Sequence, residues 1–200
     1  MARLPGGRPA AAAETEASLL TRARAGDGDA FEQLAGMHAD RLFAVLLRLL
    51  GDRSEAEDVA QEVMLRAWQG IARFEGRSDF FTWLYRIAVN EANRSLEKRS
   101  RRSASVPIDA EASQLRASRR DEPPRQAENN ELRMALDRAL ADLPPPYRTA
   151  IVLRDVEGLS TREAAEITGV SEAAFKSRLH HARLRVRAAI GDAALITAGG

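Results

Sequence analysis

The chain has 200 residues, of which 44% are hydrophobic and 30% charged, and its formal net charge is +1. That length fits one ordinary domain or two small ones, and the balance suits packed cores beneath a heavily solvated surface. There is no cysteine, which excludes disulfides, thiolate metal sites and cysteine nucleophiles and fits a reducing cytoplasm.

Residues 1–17, MARLPGGRPAAAAETEA, lack a hydrophobic signal core and read as a flexible N-terminal tail. Leu19, Leu20 and Ala23, then Ala30, Phe31 and Leu34, recur at helical spacing with GDGD as a break between them. Leu42 to Leu50 reads as an apolar helix stopped at Gly51; interrupted by Arg48, it is too short to span a bilayer. Ser54 with Glu57 predicts a capping box that starts a helix running to about Gly70. On that helix Ala56, Val59, Ala60, Val63 and Ala67 line an inward face, while Asp58, Gln61, Glu62 and Leu65 share a second stripe. Residues 52–63 carry five acids against one arginine. Such a stripe suits a basic partner helix, and equally a solvated face whose acids favour the positive end of the helix dipole. Acid–base catalysis would need these carboxylates to converge in a pocket, and the spacing offers none.

Five of the ten aromatic residues (Phe74, Phe80, Phe81, Trp83 and Tyr85) fall within twelve positions of the segment FEGRSDFFTWLYRIAVNEANRS. Helical spacing places Phe80, Trp83, Leu84 and Ile87 on one face, so most of the cluster is core. Arg86, Asn90, Asn93, Arg94 and Glu97 run along another face. Phe74 and the polar turn holding Arg77 and Ser78 lie outside the helix, where their side chains can meet a ligand. Rings, amides and arginines together suit single-stranded nucleic acid: bases stack on rings, amides read exposed edges and cations neutralise phosphate.

Residues 98–130 are rich in Ser, Arg, Pro and Asp with almost no apolar periodicity, and they open on KRSRR; they read as a flexible linker. A helical pattern resumes at Glu131 with Leu132, Ala135, Leu136, Ala139, Leu140 and Leu143. Pro144 to Pro146 end one helix and begin the next. Ile151, Val152 and Val156 follow, then Gly158. Ser160 and Glu163 form a capping box, Gly169 and Val170 supply a tight turn, and Ser171 caps the next helix. Two short helices around one glycine turn are the helix-turn-helix signature, whose second helix enters a DNA major groove. On that helix Phe175, Leu179, Ala182 and Val186 face inward. Ala173, Lys176, Ser177 and His180 face outward, with Arg178 and His181 at the margins. Residues 171–190 carry five bases against one acid, which suits a polyanion. The adjacent histidines have no carboxylate or cysteine at ligand spacing, so no metal site is expected. With no sustained two-residue alternation, the fold is expected to be all-α. Two small helical domains, 18–97 and 131–190, are joined by the linker, and the second is a helix-turn-helix domain followed by a C-terminal tail at 191–200.

Three motifs in order, AEDVAQEVMLRAW, FEGRSDFFTWLYRIAVNEAN and the pair LPPPYRTAIVLRDVEGLSTREAAEITGVS and KSRLHHAR, carry a family resemblance. Over residues from about 18 to 190, the chain resembles the extracytoplasmic-function (ECF) sigma factors, small bacterial relatives of the major sigma factor. The resemblance implies that Asp58, Gln61, Glu62 and the adjoining Leu65 grip the β′ coiled coil of the RNA polymerase core. It implies that Phe74, the loop with Arg77 and Ser78, and Arg86, Asn90, Asn93 and Arg94 hold a flipped base and the melted strand of the −10 promoter element. Lys176, Ser177, Arg178, His180, His181 and Arg183 then approach the −35 duplex. Implied partners are core polymerase (β′ and β subunits), promoter DNA and an anti-sigma factor, with no small-molecule substrate, cofactor or metal. The resemblance further implies a non-enzymatic subunit that answers a stress signal, cytoplasmic and nucleoid-associated, and held at the inner membrane when a membrane-bound anti-sigma factor sequesters it. The rival reading is a stand-alone helix-turn-helix regulator, which explains residues 131–190 and leaves the aromatic cluster and the acidic stripe idle.

Overall fold

The computed structural model describes residues 15–104 and 135–197, and all the regular structure among them is helical. The expectations for residues 1–14, for most of the linker and the restart at Glu131 and Leu132, and for the last three residues lie outside the described residues.

Four helices make the first half: α1 Glu16–Arg24, α2 Gly28–Leu50, α3 Arg53–Ile71 and α4 Phe80–Ala104. Asp27 caps α2 by accepting from the Ala30 amide, and Gly51 closes it in the left-handed conformation (φ 75°), which costs a glycine little. Asp52 then caps α3, its carboxylate accepting from the Glu55 amide at 2.8 Å. Helix α3 thus begins before the expected Ser54–Glu57 box, because Asp is as good a cap as Ser and meets the chain first after the glycine stop. Glu55 is thereby placed to receive α4, accepting from Ser95 at 2.6 Å and from Arg99 at 2.8 Å.

Helix α4 runs seven residues past the expected end of the first domain, carrying Lys98 to Arg102 as helix rather than linker. Arginine and lysine are good helix formers and are favoured at a helix C-terminus. Arg99 also anchors this end, donating to the Leu50 carbonyl at 3.2 Å as well as to Glu55.

In the second half residues 135–141 form α5, followed by α6 Pro145–Ile151, a π-helical turn Val152–Val156, α7 Thr161–Thr168 and α8 Glu172–Thr197. Pro144 and the prolines of the first turn start α6, as the sequence predicts. Helix α8 continues into the stretch expected to be a tail.

Leu34, Leu42, Leu46, Leu84 and Tyr85 are fully buried in the first half, and Leu153, Ile167 and Phe175 in the second. Each large apolar side chain so buried contributes about 1.5–3 kcal/mol. The halves do not stand apart: α7 lies against α4, and α6 with its π-helical turn meets α2.

Candidate polymerase and nucleic-acid interface

The acidic stripe of α3 forms as the spacing predicts. Ala56, Val59, Val63 and Ala67 are buried while Asp58, Gln61 and Leu65 are exposed. Glu62 is half-buried and pairs with Arg66 at 2.7 Å; Arg66 also reaches Glu91 of α4 at 3.0 Å. Sequence reasoning missed Trp68, 39% exposed and three residues beyond Leu65 on the same stripe. Its ring leans on Phe31, with centroids 5.2 Å apart, and sits over Gly28, where a Cβ would meet it at 4.0 Å. With Leu65 and the Trp68 ring exposed beside the acids, this face is amphipathic rather than purely polar.

Phe74 departs from expectation. It is only 5% exposed, with its ring edge-on to Phe80 at 6.3 Å and 5.2 Å from Trp83. The turn explains this: the Arg73 amide donates to Gly70 and the Phe74 amide to Ile71, folding the ring back into the core. Trp83 closes over the same spot, lying 3.1 Å from where a Cβ on Gly70 would be. What the turn offers outward is polar: exposed Arg77 paired with Glu75 at 2.5 Å, and half-buried Ser78.

On α4, Arg86, Asn90 and Arg94 are exposed on one face, and Asn93 is half-buried. Arg94 donates to Glu91 at 2.6 Å. Glu91 is 8% exposed and collects both Arg66 and Arg94, so one buried carboxylate orients the polar face of α4 against α3. Its place inside an otherwise apolar face gave no sequence signal for this role.

The helix-turn-helix assembles from its caps. Ser160 accepts from the Glu163 amide at 3.2 Å, and Glu163 accepts from the Ser160 amide at 2.7 Å. The Ser160 side-chain hydrogen bond, followed by its backbone one, holds the Glu163 carboxyl below its ordinary value. Gly169 makes the turn at φ 66°, and Ser171 accepts from the Ala174 amide at 3.2 Å to start α8. Phe175, Leu179 and Ala182 are buried and Val186 half-buried. Ala173, Lys176, Ser177, His180 and His181 are exposed and Arg178 is half-buried. Arg183, expected among the DNA contacts, forks onto Asp155 at 2.5 and 2.9 Å, so its guanidinium braces α8 against the π-helical turn. Lys176, Ser177 and His180 remain as a compact basic and polar patch on α8, suited to phosphates and base edges.

The structure thus gathers three sets: acids with exposed apolar groups on α3, amides and arginines on α4, and bases on α8. Among the described residues, no helix is long and apolar enough to cross a membrane.

Comparison with known proteins follows the same division. Residues 34–102 match the family model of Sigma-70 region 2, and residues 133–186 that of Sigma-70, region 4. The chain is 33% identical over 175 residues to the RNA polymerase sigma-H factor of Pseudomonas aeruginosa, covering 85% of this chain and 91% of that one. It is 35% identical over 174 residues to the ECF RNA polymerase sigma-E factor of Haemophilus influenzae, covering 84% and 92%. Among solved structures, it is similar to the sigma factor RpoE of Bartonella quintana in complex with the anti-sigma factor NepR. There the TM-score is 0.64 at 27% identity, with 80% of this chain and 96% of that one covered.

Proposed function

Because the chain belongs to the ECF sigma factors of the sigma-70 family, we propose a division of labour among its three surfaces. The α3 face with Asp58, Gln61, Glu62 and Leu65 docks on the RNA polymerase core, where carboxylates meet a cationic helix and Leu65 and Trp68 supply apolar area. The α4 face with Arg86, Asn90, Asn93 and Arg94, beside the turn of Arg77 and Ser78, holds the melted −10 strand. Phe74 serves that site from beneath, fixing the turn through Trp83 and Phe80 rather than stacking on a base. Lys176, Ser177, His180 and His181, with Arg178 at their edge, read the −35 duplex.

Two DNA contacts, each weak, become strong together once a shared polymerase makes the second one intramolecular. No step of this task breaks a covalent bond, so the chain is a transcription initiation factor and the chemistry belongs to the polymerase. A cytoplasmic location, an anti-sigma partner and release by a stress signal complete the reading. The observation that carries it is the presence of both regions in one chain, each with its binding face exposed. A stand-alone helix-turn-helix regulator would need only the second region.

Transcription with purified core polymerase tests the proposal. Asp58→Arg with Glu62→Arg should abolish core binding and transcription while leaving the circular dichroism spectrum unchanged and stability lower by no more than about 1 kcal/mol, the cost of the solvent-exposed Glu62–Arg66 pair. Full core affinity in that double variant would refute the docking face.

A further inference from the structure

We propose that Glu91 is a positioning residue that links the two binding faces of the first half: when a partner cation occupies Glu62 on α3, Arg94 on α4 is freed for a phosphate of the single strand. The link deepens the reading above and rests on its assignment of α3 to the polymerase and α4 to the −10 strand.

Four side chains of alternating charge run from one face to the other. Arg66 stands one turn beyond Glu62 on α3, and its Nε lies between two carboxylates, 2.7 Å from Oε1 of Glu62 and 3.0 Å from Oε1 of Glu91. The same Glu91 oxygen accepts from Nη1 of Arg94 at 2.6 Å. One guanidinium nitrogen is thus divided between two carboxylates, and one carboxylate oxygen between two guanidiniums. The outer members can be reached by partners, since the side chains of Glu62 and Arg94 are 43% and 62% exposed. Glu91, which joins them through Arg66, is buried.

Such a chain responds as a unit. Two cations at one oxygen repel each other, and in a site shielded from water that repulsion is weakly screened. A cationic helix seated on Glu62 takes up the charge that holds Arg66 toward its own helix. Arg66 then gives its Nε to Glu91 alone, and Arg94, the exposed competitor for that oxygen, is displaced toward solvent. The released guanidinium offers its fork of donors to a phosphate of the strand beside Arg86 and Asn90. By linkage the effect is reciprocal: a phosphate that draws Arg94 away leaves Glu91 to Arg66 and frees Glu62 for the polymerase.

No helix has to move for this exchange. The seam between α3 and α4 is pinned separately by Glu55, which accepts from Ser95 at 2.6 Å and from Arg99 at 2.8 Å. Val63 and Ala67 of α3 and Ala88 and Ala92 of α4 are fully buried. The change is confined to two arginine side chains.

Glu62→Gln imitates occupation of Glu62, because a neutral amide keeps the shape and loses the charge-assisted bond. The full chain carries it alone and together with Arg94→Ala, and fluorescence anisotropy follows binding of a labelled oligothymidylate; a homopolymer serves because the contact is to phosphate. Glu62→Gln should tighten binding about three- to fivefold, the scale of one exposed ion pair. It should also steepen the salt dependence by roughly 0.7 in slope, one single-strand phosphate contact. In the Arg94→Ala background the same change should alter affinity by less than about 1.5-fold, since the gain is not additive with loss of the group that delivers it. Nuclear magnetic resonance reads the displacement itself, as faster guanidinium hydrogen exchange at Arg94 in Glu62→Gln.

Unchanged exchange at Arg94 overturns the relay. Faster exchange overturns the link to DNA if the gain in affinity is as large without Arg94, which would make it bulk charge, or if there is no gain although Arg94→Ala weakens binding of the parent. If exchange quickens but Arg94→Ala leaves strand binding unchanged in the parent and in Glu62→Gln alike, the proposed function loses Arg94 from the −10 site and the relay stands.

Discussion

Arg148→Ala is the substitution whose cost the structure defines best. The residue is 7% exposed, and its guanidinium ties together two helix ends. Nε donates to Leu140 at 2.8 Å and Nη2 to Leu143 at 3.3 Å and to Ala141, all at the end of α5, while Nη1 crosses to Leu49 of α2. Burial, with Arg99 nearby, lowers the guanidinium from its ordinary range, and Asp142 opposes the shift. An arginine stays charged even so, which makes these charge-assisted bonds. Alanine would leave these buried carbonyls without their donor. A charge-assisted bond contributes about 1.5–3 kcal/mol, but the bonds share one side chain and do not add, so the loss is about 3–5 kcal/mol. Against a domain stability of about 5–15 kcal/mol this is a large fraction. Urea unfolding followed by circular dichroism should show the midpoint fall by about 2 M, given a slope of about 1–3 kcal/mol per molar. Arg148→Lys should recover less than half of it, since an ammonium cannot fork across two helix ends. A midpoint shift below about 0.5 M for alanine, or full recovery with lysine, would refute this role.

Three further outcomes are expected. Asn90→Ala should change base preference within the −10 element by roughly tenfold, about 1.4 kcal/mol and within the range of a lost amide contact, while −35 binding stays as it was; competition between promoters differing at single −10 positions measures it, and an unchanged preference counts against Asn90. Tyr85→Phe removes a buried hydroxyl without a partner and should raise stability by about 1 kcal/mol, or roughly 2–4 °C in melting temperature, whereas a fall would mean the hydroxyl is satisfied. The Glu163 carboxyl is depressed from 4.5 in the folded chain, so its capping contribution is present above that value and lost as pH falls through the lower folded value. Comparing urea midpoints at neutral pH and near 3.5 should therefore show a larger acid-induced loss in the parent than in Ser160→Ala, and equal losses would exclude the capping box as the cause.

Much of this protein is written in local patterns. Ser160 with Glu163, Gly169 and Ser171 specify the helix-turn-helix because caps and glycine turns act within four residues and need no distant partner. The faces of α3 and α8 follow from helical periodicity for the same reason. Asp52 and Ser54 are both good caps two residues apart, and the Gly51 stop of α2 decides for Asp52. Lys98 to Arg102 read as linker by composition, yet Arg99 finds Leu50 and Glu55 from distant sequence, and that docking extends α4.

The chain alone determined that there would be helices, which faces would be wet, and that acids, amides and bases would fall on separate ones, since each depends on neighbours three or four residues apart. Tertiary structure alone decided that Phe74 turns inward under Trp83, that Glu91 gathers two arginines, and that Glu157 and Arg148 bind the halves together. Those contacts join residues far apart in the chain, where each side chain's partner is set by how whole helices pack and no local pattern records it.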